Sequence, residues 1–339
     1  MGADIKDMEN LYLLDSQADC RIRNLTVTYT TDSGEFPALN HVNLDIISNK
    51  ITAIVGESGS GKSTLGLAIL NGITPPGKVT QGTIEFGEYG NVLELRGKAL
   101  QRFRGPIVGT VFQASQNSMN PLNRVGKQIL DLGRSHRYKD PRALLREAEK
   151  LARRMAMDAD RVLTAYPHQL SGGMRQRMSI IMALVLNPKL LLLDEPTTAL
   201  DLLTQSAVLE ILKSIHRERN LTTVLITHDM GVVAEVSDNI VVMYAGRVVE
   251  QGSTRDTVRD PRHPYTRAIL QAIPRLTGDL DGAHPLKGAA PDLTQIPATG
   301  CVFRSRCPFA ISRCETEEPL IKPSTEGHLV ACHQEGHIS

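Results

Sequence analysis

The sequence predicts an α/β fold, a largely parallel sheet flanked by helices, with a small cysteine-rich region at its C-terminal end. Three observations predict it. Short apolar runs of strand length recur at Ile51–Val55, Leu190–Leu193, Val224–Ile226 and Ile240–Met243. Amphipathic stretches separate them, the alternation that builds parallel sheets. Near Asp260 the composition then changes: Pro and Gly rise, helical periodicity fades, and four of the five cysteines fall in the last 39 residues.

The elements follow in order. Residues 1–20 are acidic and aperiodic, which suits a tail or a short docking helix. Ile22–Tyr29 is rich in β-formers, and Val42, Leu44 and Ile46 alternate with polar neighbours, so both read as strands around a hairpin loop at Thr31–Glu35. Thr64–Leu70 reads as a helix after the buried strand Ile51–Val55. Between Asp140 and Met157, Leu144, Ala148, Leu151 and Met155 recur at helical spacing, with Pro141 in the first turn. Thr204–Arg219 places Val208, Leu212 and Ile215 on one face. Val241–Glu250, with Ala245-Gly246 inside it, reads as a hairpin. A domain boundary is expected near Asp260.

Composition excludes several classes. Lys and Arg number 38 against 37 Asp and Glu, a net charge of +1. That balance argues against nucleic acid as the main partner, as does the absence of Trp. The longest apolar run, Ile180–Leu186, is far short of the roughly 18 residues of a membrane span. The acidic N-terminus lacks the basic-then-apolar order of a signal peptide, so a cytoplasmic chain is expected.

Gly56-Glu57-Ser58-Gly59-Ser60-Gly61-Lys62-Ser63 fits G-x-x-x-x-G-K-[ST] between an expected strand and an expected helix. Glycines let backbone N–H groups converge on phosphate oxygens, and the following helix offers its positive end. Lys62 is expected on the β- and γ-phosphates, Ser63 on Mg²⁺, and Thr64 just behind them. Leu190-Leu-Leu-Leu-Asp194-Glu195 ends an apolar strand in two carboxylates. Asp194 is expected near Mg²⁺ and Glu195 at the attacking water. Leu170-Ser171-Gly172-Gly173-Met174-Arg175-Gln176-Arg177 lies 23 residues ahead, counting Ser171 to Asp194. Ser-Gly-Gly at a helix start is either a second anion site or simply an N-cap.

In this order, the motifs resemble the ATP-binding-cassette (ABC) ATPase family over roughly residues 21–260. Gln113 in Thr110-Val-Phe-Gln113 resembles its Q-loop glutamine, Asp201 in Thr198-Ala-Leu-Asp201 its D-loop, and His228 in Ile226-Thr-His-Asp229 its switch histidine. Tyr29 is similar to the aromatic that stacks on adenine. Plain alternatives stand beside each: a solvated amide for Gln113, a core histidine for His228, a strand aromatic for Tyr29. The resemblance implies a P-loop core with an antiparallel β subdomain and a helical subdomain at about 114–185. It implies two chains closing around two ATPs, each between the P-loop of one chain and Ser171, Gly172 and Gly173 of the other. Gln176 and Asp201 join that shared site, and Gln113 contributes to Mg²⁺. Glu195, His228 and Lys62 are then the catalytic set.

Residues 261–339 carry Pro261-Arg-His263-Pro-Tyr265-Thr, just after Asp260, and cysteines spaced C-x5-C-x6-C-x17-C at Cys301, Cys307, Cys314 and Cys332. This resembles the C-terminal extension of peptide and nickel importer ATPases (the dipeptide and oligopeptide permeases). Disulfides do not suit a reducing compartment, so four thiols in one small module read as a metal or cluster site. The family resemblance favours a [4Fe–4S] cluster, with zinc or unligated cysteines as the alternatives. Because the region is remote in sequence from every ATP motif, a structural or redox-sensing role is expected.

The expected function is ATP hydrolysis that powers an importer of peptides or similar small solutes. A second, identical or related ATPase subunit, two transmembrane permease subunits and an extracytoplasmic solute-binding protein are the implied partners, at the cytoplasmic face of the membrane. A non-transport ABC ATPase of DNA repair or translation is the alternative, although this chain lacks the second cassette, coiled coil or basic surface usual there. A non-hydrolysing regulatory subunit is a further one, against which Glu195 and His228 speak.

Overall fold

The computed structural model describes residues 18–32, 34–113, 115–198, 200–272, 288, 296, 299–325 and 327–335. The expected N-terminal tail thus lies mostly outside the described residues. The chain forms two compact units, one from the residues up to Leu93 together with those from Ile226 onward, the other from Glu94 to Leu225.

The first unit opens with strands β1 (Ala18–Thr31) and β2 (Gly34–Ile47). They are longer than their sequence pattern suggests, because polar residues at the strand ends keep pairing after the apolar alternation stops. Tyr29 still pairs with Phe36 and Thr31 with Gly34. Strand β3 (Ile51–Val55) is buried throughout and leads through the glycine-rich loop into helix α1 (Lys62–Ile69). Strand β4 (Gly77–Phe86) pairs with β1, giving an antiparallel sheet of order β2-β1-β4. Cys20 is buried on β1.

The second unit contains α2 (Gly97–Phe103), β5 (Val108–Val111), α3 (Val125–Ser135), α4 (Pro141–Arg154), α5 (Ala159–Thr164), α6 (Gly172–Leu184), β6 (Leu190–Asp194), α7 (Leu202–Arg219) and β7 (Thr222–Ile226). Helix α4 forms where expected. Asp140 caps it by accepting the Arg142 N–H at 3.0 Å, Pro141 occupies its first turn, and Leu144, Ala148 and Leu151 face inward. β5 and β6 run parallel, and β7 neighbours β6.

The chain then returns to the first unit with α8 (Met230–Val236), β8 (Asn239–Tyr244), β9 (Arg247–Ser253), α9 (Thr254–Arg259), α10 (Pro264–Gln271), α11 (Arg313–Thr316), β10 (Lys322–Thr325) and β11 (His328–Val330). β8 lies parallel to β3 and antiparallel to β9. The expected hairpin turns at Ala245 and Gly246, both at positive φ (49° and 76°), as a two-residue hairpin with the sheet's twist requires. β11 adds to β9 through Leu329 opposite Gln251, so residues beyond Asp260 complete this unit's sheet. Cys301, Phe303 and Cys314 share one apolar core with Val55, Val242, Tyr244 and Tyr265. Stacking onto a finished sheet spares this short stretch the need to bury a core of its own.

Candidate nucleotide-binding site

The phosphate loop is clamped from three sides within the first unit. Gly56 (φ 150°) lies so close to Met243 that a Cβ would meet its carbonyl oxygen at 2.2 Å. At Gly61 (φ 98°) a Cβ would meet the Ala38 carbonyl at 2.6 Å. Only glycine fits either position. The Gly246 N–H donates to the Ser60 carbonyl at 3.0 Å, which ties the β8–β9 turn to the loop. The Lys62 ammonium donates to the carbonyls of Gly56 and Glu57, each at 2.8 Å, and approaches the Ser60 hydroxyl at 3.4 Å. Ser58, Gly59 and Ser63 are exposed and Thr64 half-buried. Gly61 is the N-cap of helix α1 and makes no side-chain cap, the kind of helix start whose N–H groups take up anions.

His228 lies in the same unit and is exposed, not a core histidine. It sits between two anchored residues. The Thr227 N–H bonds to the Ile54 carbonyl at 3.2 Å, two residues before the loop's first glycine. Asp229 caps α8 by accepting N–H bonds from Gly231 and Val232. Tyr29, half-buried on β1, stacks on Phe36 with ring centroids 6.2 Å apart.

The second unit carries the remaining expected residues. Asp194 ends β6 and is buried; Glu195 follows at φ 51°, a left-handed turn that redirects the chain as the strand ends. Its carbonyl accepts the Thr198 hydroxyl at 3.1 Å. Ser171 is exposed and caps α6, its hydroxyl accepting the Met174 N–H at 3.3 Å, so the capping role foreseen as the plain alternative is present. Gly172 and Gly173 form the helix's first turn. Gln176 is only 1% exposed, and its amide donates to the Pro196 carbonyl at 2.7 Å. It thus bridges α6 to the acidic loop, a placement its sequence context did not reveal. Asp201 caps α7, accepting the Thr204 N–H at 2.9 Å and its hydroxyl at 2.8 Å, which holds its carboxyl below the usual range. Gln113 is exposed just after β5.

The C-terminal cysteines are all in the first unit. Cys301 and Cys314 are buried, Cys307 and Cys332 half-buried. The Cys301 N–H donates to the Cys314 carbonyl at 2.8 Å. The Cys332 sulfur accepts the Gln334 N–H at 3.3 Å, and the Arg304 N–H donates to the Cys301 carbonyl at 3.2 Å. Burial pushes the thiols of Cys301, Cys307 and Cys332 up, that of Cys332 to about 11, with further increments from neighbouring cysteines. Among the described residues no group of three or more His, Cys, Asp or Glu is placed to hold a metal ion.

The extension, remote from the ATP motifs in sequence, touches the phosphate loop in space. The Tyr265 hydroxyl accepts the Glu57 N–H at 2.8 Å, and Arg306 holds the Glu57 carboxylate in a two-pronged ion pair at 2.6 and 3.0 Å. A short-range reading had no means of finding Tyr265 or Arg306, which lie 208 and 249 residues from Glu57.

Comparison with known proteins gives the family and the fold. Residues 39–198 match the family model described as ABC transporter, and residues 249–314 that of the oligopeptide/dipeptide transporter C-terminal region. The dipeptide transport ATP-binding protein DppD of Bacillus subtilis (strain 168) is 40% identical over 316 residues, 92% of this chain and 93% of its own length. DppD of Escherichia coli (strain K12) is 38% identical over 313 residues, 92% and 95% of the two chains. Among solved structures, the ATP-binding cassette MJ0796, dimeric in a post-hydrolysis state bound to ADP and Pi, matches with a TM-score of 0.61 at 30% identity, covering 70% of this chain and 99% of that one. CbiO1 from Clostridium perfringens, part of the transporter complex cbiONQ, matches at 0.60 and 28% identity, over 72% and 92%.

Proposed function

Since the chain belongs to the ABC transporter family, we propose that it is the ATP-hydrolysing subunit of a peptide importer, with Glu195, His228 and Lys62 as its catalytic set. The observation that carries the nucleotide reading is the loop at 56–63, whose glycines, anchored Lys62 and uncapped helix start are built for a polyphosphate. Ser63 and Asp194 would hold Mg²⁺, joined by Gln113, and the ion would neutralise charge developing on the phosphates. Lys62 shares that task. Glu195 orients and deprotonates the attacking water, and His228 contacts the γ-phosphate.

Two copies, or this chain and a related one, close on two ATPs. Ser171, Gly172 and Gly173 of each serve the nucleotide held by the other, with Tyr29 against adenine and Asp201 at the joint. Among the described residues no helix is long and apolar enough to cross a membrane. Two permease subunits therefore supply the path, this chain sits on the membrane's inner face, and an extracytoplasmic binding protein delivers the solute. The match of residues 249–314 supports peptides as that solute.

For the cysteines, the finer reading is a [4Fe–4S] cluster held by Cys301, Cys307, Cys314 and Cys332. What supports it is that the four cysteines lie in one unit, the Cys301 N–H on the Cys314 carbonyl at 2.8 Å and the Gln334 N–H on the Cys332 sulfur at 3.3 Å. When bound the cluster supplies a cross-link and a one-electron redox centre.

Co-expression with candidate permease and binding-protein genes tests the main reading. ATP hydrolysis by the reconstituted complex should rise when peptide-loaded binding protein is added. Hydrolysis that ignores permease and binding protein alike would favour a function outside transport.

A further inference from the structure

Glu57 is the first variable residue of the phosphate loop, and it is gripped twice from the C-terminal region. Its N–H goes to the hydroxyl of Tyr265, which is fully buried. Its carboxylate receives both prongs of Arg306, whose side chain is 6% exposed. The guanidinium also donates to the Gly288 carbonyl at 3.2 Å and approaches the Tyr244 hydroxyl at 3.4 Å, with the Tyr244 ring 5.8 Å away. The third polar group of Glu57, its carbonyl, accepts from Lys62. One residue thus links the extension to the lysine that reaches for phosphate.

The extension end of this link is itself rigid. Arg306 lies in a turn closed by its own N–H to the Phe303 carbonyl at 3.0 Å and by the Cys307 N–H to Arg304 at 3.4 Å. Phe303 packs edge-on against Tyr244 at 5.1 Å and tilted against Tyr265 at 5.4 Å. The three aromatics therefore set Arg306 and Tyr265 together. A two-pronged Arg–carboxylate pair fixes orientation as well as distance.

We propose that Arg306 and Tyr265 are positioning residues for nucleotide binding: through Glu57 they hold Lys62 and the loop in phosphate-accepting shape, so that ATP affinity depends on the folded cysteine-bearing turn. This rests on the reading of loop 56–63 as the ATP site. Loss of the restraint lets Glu57 and its carbonyl wander, and Lys62 loses a fixed acceptor. Binding then costs the ordering that the extension otherwise supplies in advance.

The test uses the full chain and a fluorescent ATP analogue. Arg306→Met should weaken analogue binding about tenfold, a change equivalent to roughly 1.4 kcal/mol. It should raise KM for ATP while kcat at saturation stays within about twofold, the pattern of lost uniform binding. Arg306→Lys should recover part of the affinity, because it restores charge without the fork. Glu57→Gln combined with Arg306→Met should bind no worse than the weaker single variant, since both break one link. Tyr265→Phe keeps the ring packing and removes only the acceptor of the Glu57 N–H, so it reads the same link if Arg306→Met does not fold. It should weaken binding several-fold. Wild-type affinity in a folded Arg306→Met or Tyr265→Phe chain, or additive losses in the double variant, would overturn the proposal. Absence of analogue binding by the wild type would overturn the nucleotide reading instead.

Discussion

The carboxylate of Glu250, on β9, meets the Nε2 of His328, on β11, at 2.7 Å, with both residues buried. The same carboxylate accepts the N–H groups of Arg262 at 2.7 Å and His263 at 3.0 Å. One buried acid thus fastens the last described hairpin and the entry to α10 onto the sheet.

Replacing that acid should loosen everything it fastens. Glu250→Leu strands the buried His263 N–H, the half-buried Arg262 N–H and a buried imidazole, at about 1–3 kcal/mol for each buried group left unpaired. Glu250→Gln, which keeps an acceptor, should cost less. Urea unfolding and protease sensitivity beyond Asp260 would measure both. A Leu variant as stable as the wild type would show that the pair contributes nothing net.

Burial lowers the imidazole of His263 to about 4, against the opposing pull of Glu250. The unfolded chain therefore takes up this proton near the ordinary value of about 6.5, while the folded chain resists until about 4. Stability should fall as pH drops through that window, by up to about 1.4 kcal/mol per unit from this group alone. His263→Asn keeps a side-chain acceptor for the Tyr265 N–H, which His263 now accepts at 3.1 Å, and should flatten the slope. Equal slopes from pH 7 to pH 5 in both proteins would assign the acid sensitivity elsewhere.

Glu195→Gln should leave ATP binding intact and reduce turnover by about 10²–10⁴, the usual cost of losing a positioned base. The glutamine fits the same half-buried left-handed turn, so folding should not confuse the result. Trapped dimer on ATP addition, read by size-exclusion chromatography, is the companion outcome. Near-normal hydrolysis would remove Glu195 from the catalytic set.

Lys62→Ala should abolish high-affinity nucleotide binding in the isolated chain. Ser171→Arg should bind nucleotide normally and yet fail to hydrolyse it, because it obstructs the site of the other copy. Its folding cost should be small, about 1 kcal/mol for a lost helix cap. Equal loss of affinity in both would contradict a shared site.

Protein prepared without oxygen should be brown and carry about four irons per chain if the four thiols hold the cluster. Cys307→Ser should lose the iron and expose the extension to protease. Stoichiometric zinc with no iron would decide for a single-ion site.

The sequence by itself determined the loop at 56–63, the strand ending in Asp194-Glu195 and the helix opened by Ser171, because each is a contiguous stretch whose chemistry and periodicity are local. It also located α4 from Leu144, Ala148, Leu151 and Met155, α7 from Val208, Leu212 and Ile215, and the β8–β9 turn from Ala245-Gly246. Only the tertiary structure decided what the polar side chains do. Gln176 carries a motif position yet turns inward to Pro196, and Asp201 spends its carboxylate on Thr204. The extension looked separate because its composition changes at Asp260, yet β11 pairs with β9 and Arg306 reaches Glu57 across 249 residues. Such partners leave no periodic trace: a buried charge is satisfied by whatever the fold brings beside it, and the fold brings together residues that no window along the chain contains.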